Sequence, residues 1–367
     1  MLFKNTFIFY FFLISSVQGQ HLFVAEMNYF SGRGIAHTPD FSPEIKGWTN
    51  AFGISIGKQS DGSKPWQKRW KLPDYGVSFL YQSNASKAAF GSTYALFLFG
   101  QFPLIRKEKY TIFSKMSYGM AYVSKYNSPE NEINNAIGTP LNVFVGIDFI
   151  TEIKITDHLG INIGLGFNHF SNGAFKKPNL GLNTPLATLG LKYRVRKLEY
   201  EKISKKDIDK PKNKDEYLAK FGFGIGQIGG KGTPQYPIYI FSLAYARYSS
   251  VANKMIMGLQ FELDDKVGKN LIQRSSDSIP KLAKPFTSSL YFADEMLLGH
   301  FALHFEGGVY LWHPHWKANP IYFKAGPFFY TPEFGKKTIS QFFIGTYVKT
   351  HFGTAQFIGA DLGFVFR

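Results

Sequence analysis

Residues 161 to 172, INIGLGFNHFSN, constrain the fold more than any other stretch of this chain. In an extended strand, alternate side chains share a face. Ile161, Ile163, Leu165 and Phe167 then fall on one side, and His169 and Ser171 complete the row. Asn162, Gly164, Gly166, Asn168, Phe170 and Asn172 fall on the other. Apolar outside and small or polar inside is the pattern of a strand in a membrane-spanning barrel. His169 and Ser171 are therefore expected on the lipid side, near one membrane boundary. Two residues apart on one face, an imidazole and a hydroxyl can reach hydrogen-bonding distance, the minimum pairing for an activated serine nucleophile.

The same alternation recurs in both directions. From LFVAEMNYF to LATLGLKYRV, strand-like runs separated by turn residues number about eight, each near the length of a tilted membrane strand. A charge-dense segment follows, KLEYEKISKKDIDKPKNKDEYLAK, and reads as a linker. From FGFGIGQIGG to FIGADLGFVFR there are again about eight strand-like runs. The expected fold is all-β, a transmembrane antiparallel barrel. The division is 1–19 signal peptide, 20–197 an eight-stranded barrel carrying the site, 198–220 linker, and 221–367 a second barrel-forming region. Seventeen per cent aromatic residues and 36 glycines suit such barrels with aromatic girdles. Inward candidates are Gly or Leu (Gly164 and Gly166, Leu96 and Leu98, Gly222, Gly224 and Gly226), and such residues favour narrow, filled lumens. Inward-parity Lys254, Glu262, Glu306, Lys324 and Asp361 would then pair as a buried network. Two small barrels are preferred on that ground; one large barrel of about sixteen strands is the alternative.

At the N-terminus, Lys4 leads into FIFYFFLISSV, with small residues at cleavage spacing before Gln20, the pattern of a secretory signal. A formal net charge of +16 usually suggests nucleic acid. An exported barrel meets a different polyanion, the phosphorylated outer leaflet, and no nucleic-acid partner is expected. Lys176 and Lys177, just past the serine, are placed to pair with those phosphates. Without cysteine there is neither a disulfide nor a thiolate site. His313 and His315 share a strand face but lack a third ligand nearby, so no metal and no cofactor is expected. Gly224, Gly226 and Gly229 fit the dinucleotide fingerprint by letter, but no helix follows them, and strand glycines are the better reading. His351 ends the penultimate strand-like run of the second half, the position equivalent to His169, without a matching serine.

His169-Phe170-Ser171-Asn172-Gly173 followed by Pro178-Asn179-Leu180-Gly181 resembles the signature of the outer-membrane lipid A 3-O-deacylases, the PagL or acyloxyacyl hydrolase family. The resemblance runs from about residue 22 to 197 and is most specific from His169 to Asn183. It implies hydrolysis of an ester-linked acyl chain of lipid A in the Gram-negative outer membrane, with lipopolysaccharide as substrate. Ser171 would be the nucleophile, His169 the base and Asn179 an oxyanion donor. A backbone N–H at Gly173 or Ala174 would be the second donor, and Asn172 would brace the turn. The family carries Glu two residues after the glycine of its PN-x-G motif, where this chain has Asn183. An amide can orient an imidazole but cannot stabilise imidazolium with a full charge. Every residue of the motif precedes the charged segment, so residues 20 to about 200 are expected to carry the chemistry alone. The alternative is an inactive barrel that binds lipid or forms a pore. Homo-oligomerisation is left open.

Overall fold

Alternation along each strand sorts side chains between a lumen and an outer face, and the strands close on themselves twice. The computed structural model describes residues 22–195, 211, 215–227, 231–265, 267, 285–314, 319–334 and 338–367. The expected leader, His315, Gly229 and most of the charged segment lie outside these residues.

The first barrel comprises β1 (Phe23–Gly32), β2 (Thr49–Gln59), β3 (Asp74–Ser83), β4 (Ser92–Arg106), β5 (Tyr110–Val123), β6 (Leu141–Lys154), β7 (Leu159–Ser171) and β8 (Leu182–Arg194). Neighbours pair antiparallel in sequence order, and β8 closes on β1 from Val24↔Arg194 to Gly32↔Leu186. The second comprises β9 (Asp215–Gln227), β10 (Gln235–Ser250), β11 (Asn253–Asp264), β12 (Phe286–Leu298), β13 (Phe301–Trp312), β14 (Ile321–Tyr330), β15 (Ile339–His351) and β16 (Thr354–Phe366). There β16 closes on β9. Two eight-stranded barrels, rather than one large one, are what the chain forms.

The lumens explain the choice. A narrow barrel must fill its interior with side chains. In the first, Lys192 reaches Glu26 at 3.0 Å and Asp74 at 2.6 Å, Lys115 reaches Glu26 at 3.0 Å, and Arg194 clasps Glu152. In the second, Lys349 pairs with Glu262 at 2.6 Å, Lys254 with Glu295 at 3.2 Å, and Lys220 and Lys324 each with Glu306 at 3.4 Å. The five inward charges read from parity all belong to this network. Outside, Ile54, Leu165, Leu189, Met257 and Leu362 are exposed, as a bilayer requires. Leu96 and Leu98, expected inward, also face out, because alternation in β4 turns Ala95, Phe97 and Phe99 into the lumen. Among the described residues, no helix is long and apolar enough to cross a membrane.

One boundary differs from expectation. The linker does not extend to residue 220, because β9 begins at Asp215. Glu216 and Lys220 look like linker charges in sequence, yet they point into the lumen and are buried by their ionic partners. The long segment between β2 and β3 reaches the second barrel. It holds α1 (Pro65–Arg69), and Trp70 Nε1 beside it donates to the Leu297 carbonyl of the second barrel at 3.1 Å.

Candidate active site

Phe170 decides which way its neighbours point. It is fully buried and packs on Phe144, with ring centroids 5.2 Å apart, in an apolar plug that also holds Phe90, Phe97, Ala136, Ile137 and Leu182. With Phe170 locked inward, strand alternation turns His169 and Ser171 outward at the end of β7. β8 then returns antiparallel, and its second residue, Asn183, lies directly opposite His169.

The three side chains form a continuous chain. His169 Nδ1 lies 2.6 Å from Asn183 Oδ1, and Nε2 lies 3.0 Å from Ser171 Oγ. An amide oxygen only accepts, so Nδ1 carries the proton and Nε2 presents its lone pair to the serine hydroxyl. Ser171 is buried although its row faces outward. Asn183 is fixed from the other side, where the Ile35 N–H donates to its carbonyl at 2.9 Å.

That turn, residues 172–181, is held on many sides. The Asn172 side chain donates to Lys176 O at 2.8 Å and Thr139 Oγ1 at 3.2 Å. The Leu180 and Gly181 N–H groups donate to the Asn135 and Ala136 carbonyls of the β5–β6 loop, and His37 approaches the Leu180 carbonyl at 3.0 Å. Gly173 and Ala174 are both left-handed, with φ 62° and 64°, a region costly for alanine. Neither of their N–H groups has a protein acceptor among the described residues. Asn179 Oδ1 accepts the Asn172 N–H at 2.9 Å, which leaves the Asn179 amide nitrogen as its remaining donor. Gly181, at φ 86°, lies against the imidazole: a Cβ there would stand 2.7 Å from His169 Cε1.

Every residue singled out in the sequence lies in or beside this turn, with Lys176 exposed and Lys177 half-buried. His351 is different. It sits at inward parity, with Nδ1 2.9 Å from the Ile321 carbonyl and Nε2 3.0 Å from Gln356 Oε1. The missed residues come from elsewhere in the chain. Gln227 Oε1 accepts the Lys177 N–H at 2.6 Å, and Gln235 Nε2 donates to the Phe175 carbonyl at 2.7 Å. Both belong to the second barrel, and strand alternation carries no signal for such contacts. Gly181 stood in the motif, but only the fold reveals its contact with the ring.

A family model described as lipid A 3-O-deacylase (PagL) matches residues 50–192, a range that holds the whole hairpin from His169 to Asn183. A second model, described as acyloxyacyl hydrolase, C-terminal domain, matches residues 216–367. No curated protein matches the chain. Among solved structures, Neisserial surface protein A (NspA) is 10% identical over 47% of this chain and 96% of its own, with a TM-score of 0.32. The translocator domain of the autotransporter NalP from Neisseria meningitidis is 8% identical over 96% of this chain and 90% of its own, with a TM-score of 0.23. Likenesses this distant carry no argument.

Proposed function

The chain belongs to the lipid A 3-O-deacylase (PagL) and acyloxyacyl hydrolase family, and we propose that it is an outer-membrane esterase that removes the 3-O-linked acyl chain of lipid A through Ser171 and His169. The observation that carries this reading is the unbroken Asn183–His169–Ser171 chain, at 2.6 and 3.0 Å, on the outward rim of the barrel. If the N-terminus is periplasmic, β7 runs outward and delivers the pair to the leaflet that holds lipid A.

In this mechanism, Ser171 Oγ attacks the ester carbonyl while His169 Nε2 takes its proton. The carbonyl oxygen becomes an oxyanion. The Asn179 amide and the Gly173 and Ala174 N–H groups are the donors available to hold it. Collapse expels the sugar 3-hydroxyl, which receives the proton from His169. Water, deprotonated by the same imidazole, then hydrolyses the acyl-serine and releases the fatty acid. Asn183 keeps the ring in the productive tautomer but supplies no full charge. Lys176 and Lys177, on the rim, suit the phosphates of the substrate.

The pore reading finds less support, since both lumens hold packed ion pairs. The test is release of free fatty acid from lipid A by purified protein. Ser171→Ala and His169→Ala should each lose nearly all of it, because nucleophile and base act as a unit. A Ser171→Ala protein as active as wild type would overturn the assignment.

A further inference from the structure

The turn that follows Ser171 does not hold its own shape. Two successive left-handed residues, one of them Ala174, need support from outside the turn. On one side the support is the β5–β6 loop, through Thr139 and Asn172. On the other it is the second barrel. The Lys177 N–H donates to Gln227 Oε1 at 2.6 Å, and Gln227 is itself buried. Gln235 Nε2 donates to the Phe175 carbonyl at 2.7 Å. Gly173 is pressed against β15 and β16, so that a Cβ there would lie 3.1 Å from Ile358 Cβ and 3.4 Å from Val348 Cγ2. Three successive parts of the turn thus lean on residues far away in sequence.

We infer that the second barrel is part of the hydrolytic site, with Gln227 and Gln235 as positioning residues that fix the Gly173–Ala174 turn and its two N–H groups beside Ser171. This rests on the esterase reading above. It departs from the expectation that residues 20 to about 200 act alone. Gln227 and Gln235 flank the β9–β10 connection, so they clamp the turn at two points on either side of Lys176. The donors must point at the developing oxyanion, and a shift of about 1 Å is enough to lose most of their effect. Neither glutamine touches substrate. They act through the backbone they hold.

The test uses the full chain, purified in detergent, with lipid A as substrate and kcat and KM measured separately. Gln227→Leu/Gln235→Leu removes both bonds. It should lower kcat about tenfold or more with KM within about twofold, since only the transition state gains the oxyanion contacts. Gln235→Lys keeps a donor for the Phe175 carbonyl and should stay within about threefold of wild type. Gln235→Glu, which sets a carboxylate against that carbonyl, should fall with the double variant. Lys231→Ala breaks only the exposed pair with Glu132, 2.7 Å, that also bridges the barrels, and should change nothing. Heat-modifiable gel mobility reports whether each variant is a folded barrel. If the double variant fails to fold, the Gln235→Lys and Gln235→Glu pair decides, because Gln235 is exposed. Folded glutamine variants with wild-type kcat, or a loss confined to KM, would overturn the inference while Ser171→Ala still abolished activity. A wild type that releases no fatty acid would instead overturn the esterase reading, and this inference with it.

Discussion

Replacing Gly181 by alanine should disable the site without replacing any group that reacts. The new Cβ would stand 2.7 Å from His169 Cε1, 3.5 Å from Nδ1 and 3.4 Å from the Phe170 carbonyl oxygen. Carbon atoms in contact settle at about 3.5–4.0 Å, so ring or backbone must give by about 1 Å. Phe170 is fully buried in the plug, so the backbone of β7 has little freedom to move. The imidazole must yield, and it is pinned at 2.6 Å to Asn183 and 3.0 Å to Ser171. A displacement of that size breaks one bond or the other and should cost about 100-fold in kcat. Alanine at φ 86° also carries a backbone penalty of about 1 kcal/mol, which would lower stability rather than rate. Gly47→Ala separates the two effects. Gly47 has φ 83° but nothing within 4 Å of its Cβ position, so this variant should lose similar stability and keep its rate. The assay is the initial rate of fatty-acid release from lipid A, with barrel integrity followed by heat-modifiable mobility. A folded Gly181→Ala protein with wild-type kcat would refute the claim that His169 works from the position described.

Asn183→Ala should slow hydrolysis less than loss of His169 or Ser171, because a neutral orienter contributes about 1–1.5 kcal/mol through one hydrogen bond. Asn183→Glu restores the carboxylate of the family pattern and stabilises imidazolium, so the acidic limb of the pH–rate profile should move to higher pH; an unmoved limb would mean that residue 183 does not act on His169. In the first lumen, Lys192→Met takes away the ammonium that Glu26 and Asp74 share at 3.0 and 2.6 Å, leaving Glu26 with Lys115 and Asp74 with Arg194 at 3.7 Å, and should cost about 3 kcal/mol in denaturant unfolding. Exposed Lys46→Met should stay within about 0.5 kcal/mol, and equal losses from the two would contradict the buried network.

The parts of this molecule legible in sequence are those set by short-range geometry. Strand alternation has a period of two, so Ile163, Leu165 and Phe167 on one side and Asn162 and Asn168 on the other could be assigned from letters alone. His169 and Ser171 were legible for the same reason, since they share one strand face, whereas Asn183 was reached through the family resemblance and the hairpin then sets it opposite His169. The start of β9 was not legible, because Glu216 and Lys220 read as solvated charges until partners such as Arg367 and Glu306 arrive from distant strands. Gln227, Gln235 and Ile358 were invisible at the site for a related reason. Their roles depend on how one barrel rests against the other, and no local pattern encodes that.

The most direct test of the central claim is mass spectrometry of lipid A from cells making either the wild-type protein or Ser171→Ala at equal levels in the outer membrane. Wild type should yield lipid A lacking one ester-linked acyl chain at the 3-O position, and Ser171→Ala should leave it intact. Identical spectra from the two, with both barrels folded, would contradict the claim.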